Sequence, residues 1–206
     1  MDQQPLLTVG VVSDTHIPDR VDRIHPQIIP IFQAAHVDRI LHAGDISIPS
    51  VLAELEQVAP VLAVRGNRDL IFDRSLPYLR LIELAGVKVA LMHGHGGWVG
   101  YIKDKLAYYR HGYQLERYIP KLFRAAPDAR VYIFGHTHFP ENLWREGKLI
   151  FNPGSASTSV SRKLAPSVGL LRFYSAGAVK GEIIKMNGHR IAYHQWVEDS
   201  TNLKDS

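Results

Sequence analysis

The strongest constraint on the fold is a repeated pairing of a short apolar segment with a polar loop that carries Asp, Asn or His. Five such segments, rich in Val, Leu and Ile, end abruptly in the loops Asp14-x-His16, Gly44-Asp45, Gly66-Asn67, His93-Gly94-His95 and Gly135-His136-Thr137-His138. Short continuous apolar runs are typical of strands that are buried on both faces. Because open α/β sheets gather their ligands at the carboxyl ends of strands, we expect the five loops to converge on one site.

The order of the predicted elements indicates an α/β chain with mixed sheets. Strands are predicted at 6–12, 39–41, 61–64, 79–84, 87–92, 131–134, 143–145, 148–151, 168–174, 179–186 and 190–197, and helical structure at 28–35, 50–58 and through 101–126. Strands and helices alternate at first, and consecutive strands follow, which favours mixed over purely parallel sheets. A length of 206 residues suits one domain. We therefore predict a single domain over 1–198, followed by a polar tail at 199–206.

The side chains of these loops restrict the kind of metal that they could hold. The chain has no cysteine, so disulfides and thiolate metal sites are excluded. What remains is carboxylate, amide and imidazole, a set of ligands that suits manganese, iron, zinc, nickel or cobalt. The glycines in the loops allow the backbone to turn sharply beside each of these side chains.

The order of the five loops resembles the calcineurin-like metallophosphoesterase superfamily. The pattern of that family is Asp-x-His, Gly-Asp, Gly-Asn, a single His and Gly-His-x-His, and all five blocks are present here in that order. Ser13-Asp14-Thr15-His16 and Asn152-Pro153-Gly154-Ser155 are similar to its small phosphodiesterase branch, and the resemblance runs from about Val9 to Ser155. It implies an α/β fold in which two mixed β-sheets pack as a sandwich flanked by helices, a four-layer αββα arrangement.

The resemblance also implies a centre with two divalent metal ions, with manganese as the first choice and zinc, iron, nickel or cobalt as alternatives. One ion would be held by Asp14, His16 and His138, the other by Asn67, His93 and His136, with Asp45 and a hydroxide bridging them. Two carboxylates and one hydroxide leave two divalent ions about one unit positive, ready for a phosphate anion. The implied activity is hydrolysis of phosphodiesters, and secondarily of phosphomonoesters, by attack of the bridging hydroxide.

One position departs from the family pattern. Many members carry His after the Gly-Asn, where it is thought to help protonate the leaving group, but this chain carries Arg68. A guanidinium cannot act as a general acid, although it can hold a phosphate oxygen or pair with Asp69. Protonation would then come from water or from His95, two residues past His93. We therefore predict a preference for good leaving groups, such as aryl or nucleotide diesters, over simple alkyl monoesters.

Other functions remain as alternatives. A retromer subunit with this fold serves as a binding surface, so the runner-up is a non-catalytic scaffold, although this chain keeps the full ligand set. Two-metal hydrolases of amides or lactams lead with His-x-His, which comes last here. The formal net charge is only +4 and no basic stripe is visible. A small phosphate ester is therefore expected as the substrate rather than a nucleic acid.

The aromatic residues between the fourth and fifth loops allow two interpretations. Trp98 and the tyrosines at 101, 108, 109 and 113 fall partly on helical spacing. The favoured interpretation is a core or subunit interface, which leaves a homodimer open, and the other is a cap that stacks a nucleobase or aryl group. The first residues do not resemble a signal peptide, and no segment approaches about 20 apolar residues, so we expect a cytoplasmic protein without a membrane span.

Overall fold

The computed structural model describes residues 4–69, 75–94, 96–158 and 164–199. The strands are β1 (Leu7–Val12), β2 (Arg39–His42), β3 (Val61–Ala63), β4 (Leu79–Leu84), β5 (Val87–Met92), β6 (Val131–Ile133), β7 (Glu141–Arg145), β8 (Lys148–Asn152), β9 (Ser167–Phe173), β10 (Val179–Lys185), β11 (His189–Ala192) and β12 (Gln195–Glu198). The helices are α1 (Ile28–Ala34), α2 (Ser50–Glu56), α3 (Gly97–His111) and α4 (Ile119–Ala125), and short 3₁₀ turns lie at Leu115–Arg117 and Ser175–Gly177.

The strands form two five-stranded sheets and a separate hairpin of β11 and β12. The first sheet has the order β10-β9-β1-β2-β3, and the second has the order β4-β5-β6-β8-β7. In the first sheet β1, β2 and β3 are parallel, whereas β9 runs antiparallel to β1 and β10. In the second sheet β5, β6 and β8 are parallel and both edge strands are antiparallel. The prediction of two mixed sheets is therefore confirmed.

Three clusters of buried apolar side chains hold four layers together. The cluster between the sheets includes Val11 and Leu41 from the first sheet and Leu91 and Ile133 from the second. Helices α1 and α2 cover the outer face of the first sheet, where Phe32 is fully buried. Helix α4 covers the outer face of the second sheet. Strands between two apolar surfaces need apolar residues on both faces, which explains the continuous runs seen in the sequence.

Two predicted segments are divided differently in the structure. Residues 190–197 were predicted as one strand, but they fold as the hairpin of β11 and β12, whose turn residues Tyr193 and His194 have φ values of 50° and 63°. The amide of Asp22 donates to the carbonyl of His194 at 2.9 Å and so holds this turn from outside the segment. The helical stretch 101–126 is interrupted after α3, where Gly112 takes a φ of 70°.

The topology brings five of the strand ends to one edge of the sandwich. Strands β1, β2 and β3 are parallel, so the loops that follow them leave the first sheet on the same side. Strands β5 and β6 do the same for the second sheet. Within the described ranges, no helix combines the length and the apolar content that crossing a bilayer requires.

Candidate metal centre

Hydrogen bonds join the polar loops at this edge into one cluster. The amide of Asp14 donates to the carbonyl of Gly44 at 3.0 Å, and the amide of His16 donates to that of Asp45 at 3.1 Å. Between the sheets, the amide of His136 donates to Oδ2 of Asp14 at 3.1 Å. The structure thus brings together the loops that the sequence predicted to converge.

Five of the seven predicted ligands have a left-handed backbone. The φ values are 56° at Asp14, 54° at His16, 55° at Asp45, 66° at His136 and 61° at His138. Such a conformation costs a non-glycine residue on the order of 1–3 kcal/mol, and it persists only where the surroundings enforce it. Strain of this kind concentrates at functional sites, because it aims side chains in directions that a relaxed backbone would not allow.

Two glycines allow the loops to approach one another closely. A Cβ atom on Gly66 would lie 2.1 Å from Oδ1 of Asp45, and one on Gly135 would lie 1.9 Å from the hydroxyl oxygen of Ser13. Both distances are far inside van der Waals contact, so any larger residue would displace the neighbouring loop. This explains why a glycine precedes Asn67 and another precedes His136.

The first group of ligand atoms comprises Asp14, His16 and His138. Oδ1 of Asp14 lies 3.2 Å from Nε2 of His138 and 3.7 Å from Nε2 of His16, and the two Nε2 atoms are 3.2 Å apart. All three side chains are buried. Among the described residues, Oδ1 of Asp14 has no hydrogen-bond partner, although its Oδ2 accepts from the hydroxyl of Ser13. A buried carboxylate oxygen that faces two imidazole nitrogens is the arrangement that a divalent cation requires.

The second group surrounds the side-chain oxygen of Asn67. This oxygen lies 3.2 Å from Nε2 of His93 and 3.2 Å from Nδ1 of His136. Oδ1 of Asp45 is 3.5 Å from Nε2 of His93, and its Oδ2 is 3.9 Å from Nδ1 of His16. The carboxylate of Asp45 therefore lies between the two groups, where it could be shared by two ions. Two overlapping sets of ligand atoms could hold an ion, Asp14 with His16 and His138, and Asp14 with Asp45 and His93, so the residues present fit divalent metal ions.

Carbonyl oxygens fix the tautomers of two of the histidines. Nδ1 of His93 is 2.7 Å from the carbonyl oxygen of Ala43, and Nδ1 of His138 is 2.8 Å from that of Thr158. A carbonyl oxygen only accepts, so each Nδ1 carries a proton and each Nε2 is the nitrogen turned towards the cluster. Outer hydrogen bonds of this kind orient histidine ligands and raise their basicity.

Two acidic residues support the cluster from outside. Asp69 is buried, and its carboxylate accepts the amides of Ile46, Ser47 and Gly66 at 2.7–2.9 Å, which binds the second loop to the third. Asp104 of helix α3 places Oδ2 3.9 Å from Nε2 of His136. Because both oxygens of Asp69 accept backbone N–H groups, Arg68 does not pair with it and forms an ion pair with Asp19 instead.

The electrostatics of the cluster favour a cation. Burial by itself would raise the pKa of Asp14, but the facing His138, His93 and His16 outweigh it and hold the pKa well below its usual range. The pKa of Asp45 is also lowered, chiefly by His93 against the effect of burial. Burial lowers the pKa of His16 to about 3 despite Asp14 and Asp45. Both carboxylates are therefore ionised in the interior, where they attract positive charge.

The cluster opens into a cavity of about 240 Å³. Its lining comprises His16, Arg20, Asp45, Asn67, Arg68, Asp104, Lys105, Tyr108, Tyr109, Tyr113, Tyr118, His136, Thr137 and His138. The tyrosines thus belong to the wall of the candidate site, although Tyr118 is buried and Tyr109 is 76% exposed. The side chains of Trp98 and Tyr101, and the whole of His95, lie outside the described residues.

Arg20 and Asp104 are two cavity residues that the sequence did not reveal. Arg20 lies four residues after His16, and its amide donates to the carbonyl of His16 at 2.9 Å. This turn is what brings Arg20 to the cavity, but no residue type in the sequence indicates it. Asp104 lies on α3 in the segment where the resemblance is weakest, so only the packing of that helix places it near His136.

Known proteins with similar sequences and folds identify the family of this chain. The profile of the calcineurin-like phosphoesterase superfamily domain matches residues 7–175. A probable metallophosphoesterase from Methanothermobacter thermautotrophicus is 39% identical over 166 residues, which cover 81% of this chain and 86% of the relative. A phosphodiesterase from Methanocaldococcus jannaschii is 25% identical over 180 residues, covering 80% of this chain and 92% of that protein. Wild-type Vps29 from Entamoeba histolytica, solved in complex with Zn²⁺, superposes with a TM-score of 0.61 at 25% identity, covering 88% of this chain and 100% of that chain.

Proposed function

Because the chain belongs to the calcineurin-like phosphoesterase superfamily, we propose that it hydrolyses small phosphodiesters at a dinuclear metal centre. The observation that carries this proposal is the cluster of seven side chains at the common edge of the two sheets, of which all but Asn67 and His136 are buried. When bound, two divalent ions would neutralise charge on the phosphoryl oxygens and activate water for attack on phosphorus. A cavity of about 240 Å³ suits a small ester.

The proposed ligands divide between two ions. Asp14, His16 and His138 would hold one, Asn67, His93 and His136 the other, and Asp45 both. The distances of 3.2–3.9 Å between ligand atoms support this division, as does the position of Asp45 between the groups. Manganese is our first choice, because oxygen and imidazole ligands accept it readily, and zinc, iron, nickel or cobalt would also fit.

The residues of the chain itself would orient the substrate. The backbone amide of Arg68 donates to Oδ1 of Asp45 at 2.9 Å, which fixes Arg68 beside the shared carboxylate. Its guanidinium lines the cavity and pairs with Asp19, and its remaining N–H groups would hold a phosphoryl oxygen. Water or His95 would protonate the leaving group, which is why we expect activated diesters to react faster than alkyl monoesters.

The test is hydrolysis of bis(p-nitrophenyl) phosphate by the purified protein with and without Mn²⁺. We expect turnover that EDTA abolishes and Mn²⁺ restores, and we expect Asp45→Asn to lower kcat by at least about 100-fold. Asp128→Asn is the matched control, because Asp128 is exposed and far from the cluster in the fold. Faster hydrolysis of an alkyl monoester than of the diester would contradict the preference for diesters.

A non-catalytic scaffold is the second candidate. Similar folds include several Vps29 proteins, and one is named vacuolar protein sorting 29, a name that describes no hydrolysis. Absence of metal-dependent turnover on both the diester and p-nitrophenyl phosphate would support the scaffold. A cytoplasmic location and a homodimer stay predictions from the sequence.

A further inference from the structure

The side chain of Arg20 is fixed beside the candidate metal centre. Its Nη1 donates to the carbonyl oxygen of Thr158 at 2.8 Å and also contacts the hydroxyl of that residue. The same carbonyl oxygen accepts the Nδ1 proton of His138 at 2.8 Å. The guanidinium and the imidazole therefore share one acceptor, which places the positive charge at the margin of the first ligand group.

The guanidinium of Arg20 lies near carboxylates but makes no direct ion pair with any that the structure describes. Two other charged residues near the cavity wall have acidic partners, since Arg68 pairs with Asp19 and Lys121 contacts Asp104 at 2.6 Å. Burial lowers the pKa of Arg20 and the nearby Arg68 lowers it further, whereas the carboxylates of Asp14, Asp45 and Asp19 act in the opposite direction.

Two guanidinium groups that line the same cavity repel each other, and the carboxylates of Asp14, Asp45 and Asp19 offset part of that repulsion. Arg20 and Arg68 both line the cavity that contains His16, Asp45 and His138. Planar guanidinium groups bind phosphate and carboxylate oxygens in a bidentate manner, and such hydrogen bonds are about twice as strong as neutral ones. A bound anion would relieve the repulsion and satisfy the unused N–H groups.

We propose that Arg20 forms a subsite for a second anionic group of the substrate, next to the phosphoryl group that Arg68 would hold and that is cleaved. The inference rests on the proposed function and narrows its substrate class to esters with two neighbouring anionic groups, such as nucleoside diphosphate esters. The second group is a phosphate or a carboxylate, since both present paired oxygens to a guanidinium. The centre hydrolyses the ester bond, and the subsite holds the neighbouring anion.

The experiment compares substrates that share one leaving group and differ in charge. They are the p-nitrophenyl esters of thymidine monophosphate, of thymidine diphosphate and of phosphoglycolate. In each case water adds to the phosphorus that carries the aryl group, p-nitrophenolate leaves, and a proton is released. The readout is the ratio of kcat/KM for each doubly charged ester to that for the singly charged one. The ratio within one variant cancels any difference in metal occupancy.

We expect the wild-type protein to favour at least one doubly charged ester. Arg20→Gln should lower that ratio by about 10- to 100-fold, the effect of losing a hydrogen bond to a charged group. Arg20→Lys should retain part of the preference, because it keeps the charge. Arg23→Gln is the matched control, since Arg23 is exposed and lies three residues further along the chain. A preference for the thymidine diphosphate ester alone identifies the second group as a phosphate. An equal preference for the diphosphate and phosphoglycolate esters shows that the subsite accepts either a phosphate or a carboxylate.

Two results would overturn the inference while leaving the proposed function intact. One is a wild-type protein whose kcat/KM for the singly charged ester equals its kcat/KM for both doubly charged esters. The other is a ratio that Arg20→Gln leaves unchanged. Failure of the proposed function gives a different result. The wild-type protein would then hydrolyse none of the three esters, whether manganese, zinc, iron, nickel or cobalt is added.

Discussion

At the scale of single residues, the groups behind the ligands determine how the ligands face the centre. His93 and His138 each donate a proton to a backbone carbonyl oxygen on the side away from the cluster. For His136 the corresponding group is Asp104, whose Oδ2 lies 3.9 Å from Nε2 and has no hydrogen-bond partner among the described residues. Lys121 holds the other oxygen of Asp104 at 2.6 Å. Asp104 is therefore placed to orient His136 when a metal draws that ring inward.

We predict that Asp104→Ala weakens the binding of one of two metal ions by about 10- to 100-fold, because His136 loses the carboxylate that orients it. Isothermal titration of the metal-free protein with Mn²⁺ measures this directly. Leu106→Ala is the control, since Leu106 lies on the same helix and is 54% exposed. Identical titrations for Asp104→Ala and the wild-type protein would refute a positioning role.

A second prediction concerns the close approach of the loops at Gly66. Its substitution by alanine places a Cβ atom 2.1 Å from Oδ1 of Asp45, so Gly66→Ala should displace Asp45 and abolish metal-dependent turnover. Gly86→Ala is the comparison, because no atom lies within 4 Å of its Cβ position although its φ is 77°. That variant should lose about 1 kcal/mol of stability, as positive φ disfavours alanine, and keep its metal affinity. Full activity of Gly66→Ala would show that the loops adjust freely.

At the scale of elements, local turn chemistry separates what the sequence predicts from what it does not. Strands β4 and β5 have the bounds that the sequence predicts, and the intervening Ala85-Gly86 is a typical turn between paired strands. The turn at Tyr193-His194 carries no glycine, asparagine or proline, so the sequence signal for a strand continues through it. Contacts with residues far away in the chain hold this second hairpin, including the bond from the indole of Trp196 to the carbonyl of Arg23 at 3.1 Å.

The packing of this hairpin predicts a dependence of stability on pH. His25 is buried against Trp196, with ring centroids 4.4 Å apart, and its Nδ1 accepts the amide of Gln27. Burial, and secondarily His189, lowers the pKa of His25 to about 4. In the unfolded chain this pKa returns to about 6.5, so protons bind preferentially to the unfolded state between pH 6.5 and 4. Stability is therefore lost as the pH falls through that window.

His25→Gln should lose less stability than the wild-type protein between pH 7 and 4, because one of the groups that takes up a proton on unfolding is gone. Urea unfolding at a series of pH values measures how the free energy of unfolding changes with pH. The variant and the wild-type protein are compared by this slope and not by their absolute stabilities. His111→Gln, at an exposed position, should keep the wild-type slope. A wild-type slope for His25→Gln would mean that other groups account for the acid sensitivity.

At the scale of the whole molecule, the candidate centre joins the two halves of the sandwich. Asp14, His16, Asp45 and Asn67 follow strands of the first sheet, whereas the remaining ligands follow strands of the second. The position of the polar loops after strands was sufficient to predict that they meet at one site, but not how they divide between the two sheets. The sequence could not predict the cavity wall, since Arg20 and Asp104 reach it through turns and helix packing rather than through strand ends.

Because ligands from both sheets would share the ions, metal binding should stabilise the whole fold. We expect free Mn²⁺ at 100 times its Kd to add about 2.7 kcal/mol to the free energy of unfolding for each ion bound, and EDTA to remove it. Calorimetric melting with and without metal measures the effect. His93→Ala should lose most of the metal-dependent shift in Tm, whereas the exposed Asp128→Ala should keep it. Equal Tm values for the wild-type protein in Mn²⁺ and EDTA would contradict binding at this position.

The left-handed backbone at five of the proposed ligands sets a limit on how this protein can be improved. Asp and His tolerate that conformation better than most residues, so the side chains that suit a metal are also among those that the backbone tolerates there. Glycine would relax the strain, but it would remove the ligand. Selection or engineering for heat resistance at these positions is therefore expected to yield proteins that are more stable but bind metal more weakly and are less active.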